Sequence, residues 1–434
     1  MAVCGIASAR LRDQAASASH DNYELAAIAP EDWYRESLRA IPVNLADAKD
    51  FEYMQALAVL AILALQNTDL LAFRLHLGDY LTLSTTHIFH KESAWRPDLT
   101  SAEREERRRL FWSTYTLDVY SSIVFGQTVR HREAQSSVNY PTGISDEDGL
   151  DSYSPPGNIS WLRGWNFITE LYRILEHALE RFHGDPYSKL HQVFGGDALG
   201  PDRVLDRVLA MYSALPQVFK ECRAMSGEPV QDRYSFQAAN IIVTMQTVKM
   251  VLYGNDPMVE RKCQVAGELI DALATIPTAY IQAISTPLLH HLAGIGTLLS
   301  TTIQSRLSQY SLMQVRNVLS ALADLLAGME VLMKFAPGTS KRLRSNVSKI
   351  DEYMAALVLE QQQNQIFHTT PLAAQTQVQL SASSEETSNA IFPAGSIPEI
   401  IPSLQEYFNG DPMNNYVLDL GLGQLLGNLA YNFG

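Results

Sequence analysis

Apolar residues recur through the first 360 positions in alternating steps of three and four, the spacing that gathers one face of an α-helix. Leu70, Phe73, Leu77, Leu81 and Ile88 form one such stripe, with Thr68 or Asp69 placed to cap it. Trp161, Trp165, Ile168, Tyr172, Leu175, Leu179 and Phe182 form another, stopped by Gly184-Asp185-Pro186. Leu205, Val208, Tyr212, Leu215 and Phe219 repeat the spacing, as do Val315, Val318, Leu322, Leu325, Met329 and Leu332 ahead of Pro337-Gly338. No Asn-Gly or Asp-Gly turn joins two alternating runs, so no hairpin is indicated. The expected fold class is all-α, and each stripe reads as core packing rather than as a coiled coil, which would need the pattern sustained over more heptads.

Two stretches break the pattern. Residues 131–160 hold Pro141, Gly143, Asp146-Glu147-Asp148, Gly149, Pro155-Pro156 and Gly157, a long acidic loop of a length that in compact domains is usually functional or disordered. Residues 361–398 open with Gln361-Gln362-Gln363-Asn364-Gln365 and continue in Ser, Thr, Ala, Gln and Pro. Such a composition buries too little apolar surface to offset the entropy of ordering, so a flexible linker is expected there. The chain thus divides into a helical region 1–360, a linker 361–398 and a terminal segment 399–434.

One segment combines both kinds of helix surface: Thr100 to Gln127, TSAEREERRRLFWSTYTLDVYSSIVFGQ. Thr100 with Glu103 fits a capping box. Glu103 with Arg107, and Glu105 with Arg109, are i,i+4 pairs in the favourable orientation, so the first turns are expected to face water. Leu110, Phe111, Trp112, Tyr115, Leu117, Val119, Tyr120 and Ile123 then make the helix apolar nearly all round, as in a central buried helix. Asp118 stands out. The arginines of the first turns lie about 14–16 Å back along the axis, so a buried carboxylate there requires a partner from outside the helix. Arg107-Arg108-Arg109, interleaved with Glu105 and Glu106, reads as an ion-pair hub in preference to a nucleic-acid patch.

Charge changes the functional picture. The 434 residues carry a net charge of −14. All 33 basic residues and 38 of the acids fall in the first 349 positions, whereas the last 85 hold nine acids and no Lys or Arg. Such a chain gains nothing from counterion release on DNA. No apolar run is long enough to cross a bilayer; the best, Leu288 to Ile303, is interrupted by His290 and His291. The N-terminus is too short and too soon charged for a secretory signal. Cys4, Cys222 and Cys263 lie far apart, which suggests a reducing compartment and makes the sequons at Asn158 and Asn346 chance matches.

Signals for catalysis are weak. There is no P-loop, no Gly-x-Ser-x-Gly elbow and no His-Glu-x-x-His; Gly421-Leu422-Gly423 to Gly427 lacks the strand, helix and later acid of a dinucleotide loop. His87, His90 and Glu92 sit near one another without a cysteine partner, short of a zinc pattern. His290 and His291, being adjacent, point to different helix faces, and Cys222 and Cys263 read as small core residues. No catalytic, metal or cofactor site is expected.

Arg107-Arg108-Arg109-Leu110-Phe111-Trp112, then Leu117-Asp118, then Gly126, resembles the motif of the regulatory, or middle homology, domain of fungal binuclear zinc-cluster transcription factors. Pro141 with Ile144-Ser145-Asp146-Glu147-Asp148 is similar to the acidic stretch that comes after it in that family, and Cys263-Gln264-Val265-Ala266 through Ile276-Pro277 to a later helix. The resemblance spans roughly residues 1–335 and implies nuclear transcriptional regulation, transcriptional coactivators as partners, homo- or heterodimers with zinc-cluster factors, and a small-molecule inducer. The family's zinc ions belong to a six-cysteine N-terminal module that this sequence does not contain, and residues 1–13 look like the interior of a regulatory-domain helix. The expectation is a truncated member, a sequence beginning at an internal methionine, or a protein that reaches DNA through a bound partner.

The terminal segment interleaves Glu399, Glu406, Asp411 and Asp419 with Leu404, Tyr407, Phe408, Tyr416, Val417, Leu418, Leu420, Leu422, Leu425 and Leu426. Acids keep such side chains accessible for docking as an amphipathic helix on a coactivator groove, which suggests an activation segment; the alternative is a helix that docks back on the domain. The expected function is a pathway- or gene-cluster-specific activator. Competing readings are a truncated partner or antagonist of full-length zinc-cluster factors, or an all-α small-molecule binder or enzyme with a cavity between its helices.

Overall fold

The computed structural model describes residues 1–12, 27–142, 159–182, 200–254, 256, 258–284, 286–301, 307–331 and 338–369. Their regular structure is helical throughout, with no strand among the described residues. The helices are α1 (Ala2–Arg12), α2 (Pro30–Ala40), α3 (Phe51–Gln66), α4 (Leu70–Thr86), α5 (Ser101–Phe125), α6 (Leu162–Phe182), α7 (Pro201–Ser213), α8 (Pro229–Leu252), α9 (Val259–Thr275), α10 (Thr278–Ile284), α11 (Thr286–Thr301), α12 (Gln309–Val331) and α13 (Thr339–Thr369). Short 3₁₀ turns at Leu45–Asp47, Glu92–Ala94, Glu133–Gln135 and Gln217–Phe219 join some of them.

The most apolar helix takes the most central place. In α3 every residue from Leu57 to Gln66 is buried, because FEYMQALAVLAILALQ offers no polar face to water. It pairs with α4 across a tight connection: Thr68 adopts a left-handed conformation (φ +60°), and Asp69 caps α4 by accepting a 3.0 Å bond from the Ala72 N–H. Helices α1 and α2 pack on α3; α6 pairs with α8, and α12 with α13. Helix α9 bridges α8 and α12, while α11 lies on α12 and α13 and also touches α3 and α5. One apolar cluster therefore runs from Ala2 to Ile350.

Phe73, Leu77 and Leu81 are buried as the α4 stripe predicts, but the helix ends at Thr86, which leaves Ile88 at φ +52° and largely in solvent. The stripe through Leu215 and Phe219 is not one helix. Pro216 lacks an N–H and disfavours a helical residue before it, so α7 stops at Ser213 and Phe219 enters the core from the next 3₁₀ turn. Val315, Leu322 and Met329 of the α12 stripe are buried together with Leu319 and Leu326. Helix α13 carries past the boundary drawn at 360, reaching Thr369, because glutamine is a good helix former and a Gln-rich run can extend a helix already nucleated. The linker beyond Thr369 and the terminal segment lie outside the described residues, as does the acidic run Asp146-Glu147-Asp148.

Candidate functional site

Helix α5 opens with the expected capping box. Thr100 Oγ1 accepts from the Glu103 N–H at 3.2 Å, and Glu103 Oε2 accepts from the Thr100 N–H at 2.7 Å. The anticipated Glu103–Arg107 side-chain pair does not form, since the cap already engages Glu103. Arg107 instead lays its guanidinium over Phe51, 4.2 Å from the ring centroid, and donates to the Glu103 carbonyl at 3.1 Å. Arg108 makes a forked pair with Glu92, its Nε 3.2 Å from both carboxylate oxygens. Arg109 pairs with Glu105 at 3.2 Å as anticipated. The expectation of fully solvated first turns is corrected at Glu105, which is buried because the chain returns over it: its Oε2 accepts from the Thr142 N–H at 3.2 Å.

Leu110, Phe111, Trp112, Leu117 and Asp118 are all buried along the rest of the helix. Gly126 ends it in the left-handed conformation (φ +60°), which reverses the chain at little steric cost. The residues just past this reversal supply the partner that Asp118 requires. Arg130 and His131 donate their backbone N–H groups to Asp118 Oδ2 at 2.6 and 2.7 Å, and Arg130 Nε donates to Oδ1 at 3.0 Å. The outside partner is thus a strap of chain running back along its own helix. Burial pushes the Asp118 carboxyl up, while Arg130 and the two amide donors pull it back toward the ionised form.

Further anchors repeat down the strap in antiparallel order. Trp112 Nε1 donates to the Asn139 carbonyl at 3.0 Å, and Glu92 accepts from the Asn139 N–H at 2.9 Å. Glu176 of α6, almost fully buried, accepts from Tyr115 Oη at 2.6 Å and from the Glu133 N–H at 3.2 Å. Tyr140 Oη donates to Glu170 at 2.6 Å, and Asn166 Nδ2 to the Pro141 carbonyl at 3.0 Å. Apart from the Tyr115–Glu176 bond, which joins α5 to α6, each of these bonds ties residues 130–142 to α5, α6 or the Glu92 turn. The motif therefore gathers into one clasp: Gly126 turns the chain, Asp118 and Trp112 hold the return, and Arg108 and Arg109 orient the acids that pin its far end.

Of the clasp, Glu92, Arg130, Asn139 and Glu176 do not stand out in the sequence as strap anchors. Glu176 carries a signal, an acid inside an otherwise apolar stripe of α6, whereas Arg130 and Asn139 sit in an aperiodic stretch that offers none. Glu92 is committed to Arg108 and Asn139 rather than to His87 and His90. Among the described residues no three His, Cys, Asp or Glu side chains converge as metal ligands, and no helix is long and apolar enough to cross a membrane. A groove of about 460 Å³ beside the first turn of α5 is lined by Phe51, Met54, Trp95 and the ion-rich rim of Glu52, Glu106 and Arg107. The residues named for the activation segment, Glu406, Tyr407, Phe408, Asp411, Tyr416, Leu418, Asp419 and Leu420, lie outside the described residues.

Buried histidines should make the fold acid-sensitive. Burial, with Arg130 adding its charge, lowers the His131 pKa to about 3, and burial beside Arg342 lowers that of His290 to about 4. Both would titrate near 6.5 in an unfolded chain, so below that pH the unfolded state binds more protons and the stability present at neutral pH is lost. Taking the pH from 7 to 5 should cost roughly 1–2 kcal/mol for each histidine. Denaturant melts across that range should show the slope, and His131→Gln should flatten it; an unchanged slope would exclude His131 as a source.

The fungal specific transcription factor domain model matches residues 3–226. No curated protein and no solved structure matches the chain. The match contains the whole clasp, from Glu92 through Arg107-Arg108-Arg109, Asp118 and Gly126 to Glu176, and covers more than half of the sequence. The chain belongs to the fungal specific transcription factor domain family, the middle homology region of zinc-cluster regulators.

Proposed function

We propose that this chain is the regulatory and activating portion of a nuclear, pathway- or gene-cluster-specific transcription activator. Its helical region restrains or presents the C-terminal segment, which recruits coactivators, and DNA is read by another module or by a zinc-cluster partner. Family membership supports the transcriptional role. The observation that carries the activating role is the charge and aromatic pattern after Lys349: nine acids, no Lys or Arg, and aromatic and leucine residues set among the acids of 399–434. Without neighbouring cations to pair with, those acids keep Tyr407, Phe408, Tyr416 and the leucines available to an apolar groove. A net charge of −14 leaves contact with DNA to something else. The four carboxylates of the clasp, Glu92, Glu105, Asp118 and Glu176, each accept a backbone N–H of the strap, which supports a non-catalytic role.

The test is a fusion of residues 399–434 to an unrelated DNA-binding module, read on a reporter. Activation well above the module alone is expected, and it should fall when Tyr407, Phe408 and Leu418 are replaced by alanine. A fusion that stays inert would overturn the activating role while leaving the family assignment intact.

A further inference from the structure

Arg108 and Arg109 of the motif orient the acids of the clasp, whereas Arg107 lines the groove of about 460 Å³ between the starts of α3 and α5. That volume falls within the roughly 300–1,000 Å³ usual for small-molecule sites. One wall of the groove is aromatic. The rings of Phe51 and Phe89 lie 5.9 Å apart between centroids, and Phe89 stacks on Trp95 at 5.4 Å. Trp95 Nε1 is taken up by the Phe89 carbonyl at 3.0 Å, so this wall presents carbon to whatever enters.

The rim carries both signs of charge: seven of the lining side chains are ionic. Two of these are already committed. Arg96 bonds Asp98, its Nε 3.1 Å from Oδ1, and Glu103 closes the capping box of α5. Lys49 stands in solvent. The side chains of Asp50, Glu52 and Glu106 make no hydrogen bond or ion pair among the described residues, and Asp50 does not cap α3 although it sits at the N-cap position. Arg107 is held in place by the Phe51 ring and by the Glu103 carbonyl, which accepts from Nη1. Its Nε and Nη2 reach no acceptor among the described residues. Burial lowers the Arg107 pKa from its ordinary value, even though Glu103, Glu106 and Glu52 are near enough to act the other way. A fixed guanidinium short of acceptors thus shares one groove with carboxylates short of donors.

A ligand of one sign would meet its own charge on this rim. An organic anion faces Glu52 and Glu106, and an organic cation faces Arg107. A molecule that carries both signs avoids either conflict. We propose that the groove binds an α-amino acid with a large apolar side chain, its carboxylate on Arg107, its ammonium on Glu52 and Glu106, and its side chain along the aromatic wall. The two open donors of Arg107 match a carboxylate as a two-bond fork, which is stronger and more directional than a single contact. The site lies within residues 49–107, so it stands or falls independently of the activating role given to 399–434.

The experiment is calorimetric titration of the full chain with three probes that share one apolar body: L-phenylalanine, 3-phenylpropionate, which lacks the ammonium, and 2-phenylethylamine, which lacks the carboxylate. L-Phenylalanine should bind about ten-fold or more tightly than either analogue, since each analogue gives up a charge-assisted contact. Arg107→Gln, checked for a single cooperative melt, should weaken L-phenylalanine by about the same factor and leave 2-phenylethylamine within about two-fold. If that variant does not fold, Glu52→Gln/Glu106→Gln, both at exposed side chains, is read in the same way: it should weaken L-phenylalanine and spare 3-phenylpropionate. No saturable heat with L-phenylalanine, an analogue bound as tightly, or a folded variant that binds L-phenylalanine as the unsubstituted protein does would each overturn the site.

Discussion

Replacing Asp118 by alanine should lower the unfolding free energy by about 3–5 kcal/mol, the usual cost of removing one partner from a buried ion pair. Three donors converge on this carboxylate, two of them backbone amides. Arg130, about one-third exposed, can turn partly to water. The Arg130 and His131 amides cannot do so without lifting the strap. Asp118→Asn keeps the shape but sets an NH₂ group against at least one donor, so it should also cost at least about 2 kcal/mol, above the net worth of an ordinary hydrogen bond. Denaturant melts followed by tryptophan emission would measure both. A loss below about 1 kcal/mol for the pair, no more than one neutral hydrogen bond, would mean that the carboxylate does not hold the strap.

Trp112→Ala should have a similar effect, about 3–5 kcal/mol, for a different reason. The indole packs between Phe111, Tyr115 and Tyr140, with ring centroids 5.2, 5.4 and 4.8 Å away, so its removal leaves a large cavity between α5 and the strap. Its Nε1 bond to Asn139 is a smaller part. Trp112→Phe keeps most of the ring contact and loses that bond, and should cost about 1 kcal/mol for the bond plus a modest packing loss. Calorimetric melts of the two variants separate these contributions. If phenylalanine proves as damaging as alanine, the polar anchor outweighs the packing.

Both effects depend on a structure only half legible in the sequence. Much of helix α5 could be read, including its capped start, its change from charged to apolar, and the demand that Asp118 makes on something outside the helix, but not the burial of Glu105 or the turn of Arg107 onto Phe51. Identifying that partner was beyond periodicity, because residues 127–142 carry no repeat and bond through their backbone. Backbone donors leave no trace in side-chain pattern. The interior acid of α6 was legible in principle, since Glu176 interrupts an apolar face. Helix α8 was harder: it is buried from Asp232 to Ile241, yet Asp232, Arg233, Ser235, Gln237 and Asn240 interrupt its apolar residues, so the sequence gives no apolar face to count. Elsewhere a local rule was outweighed by regular spacing. The three-and-four rhythm carries on through Leu215 to Phe219, yet Pro216 prevents the helix from keeping to it.

The motif from Arg107 to Gly126 folds the returning chain onto its own helix, and native-state hydrogen exchange at the Arg130 and His131 amides tests this most directly. If Asp118 holds the strap, these two amides exchange as slowly as those of Leu117 and Val119 in the core of α5. They should lose that protection in Asp118→Asn while α3 keeps its own. Rapid exchange of both amides in the unsubstituted protein, at the rate of an open loop, would contradict the clasp.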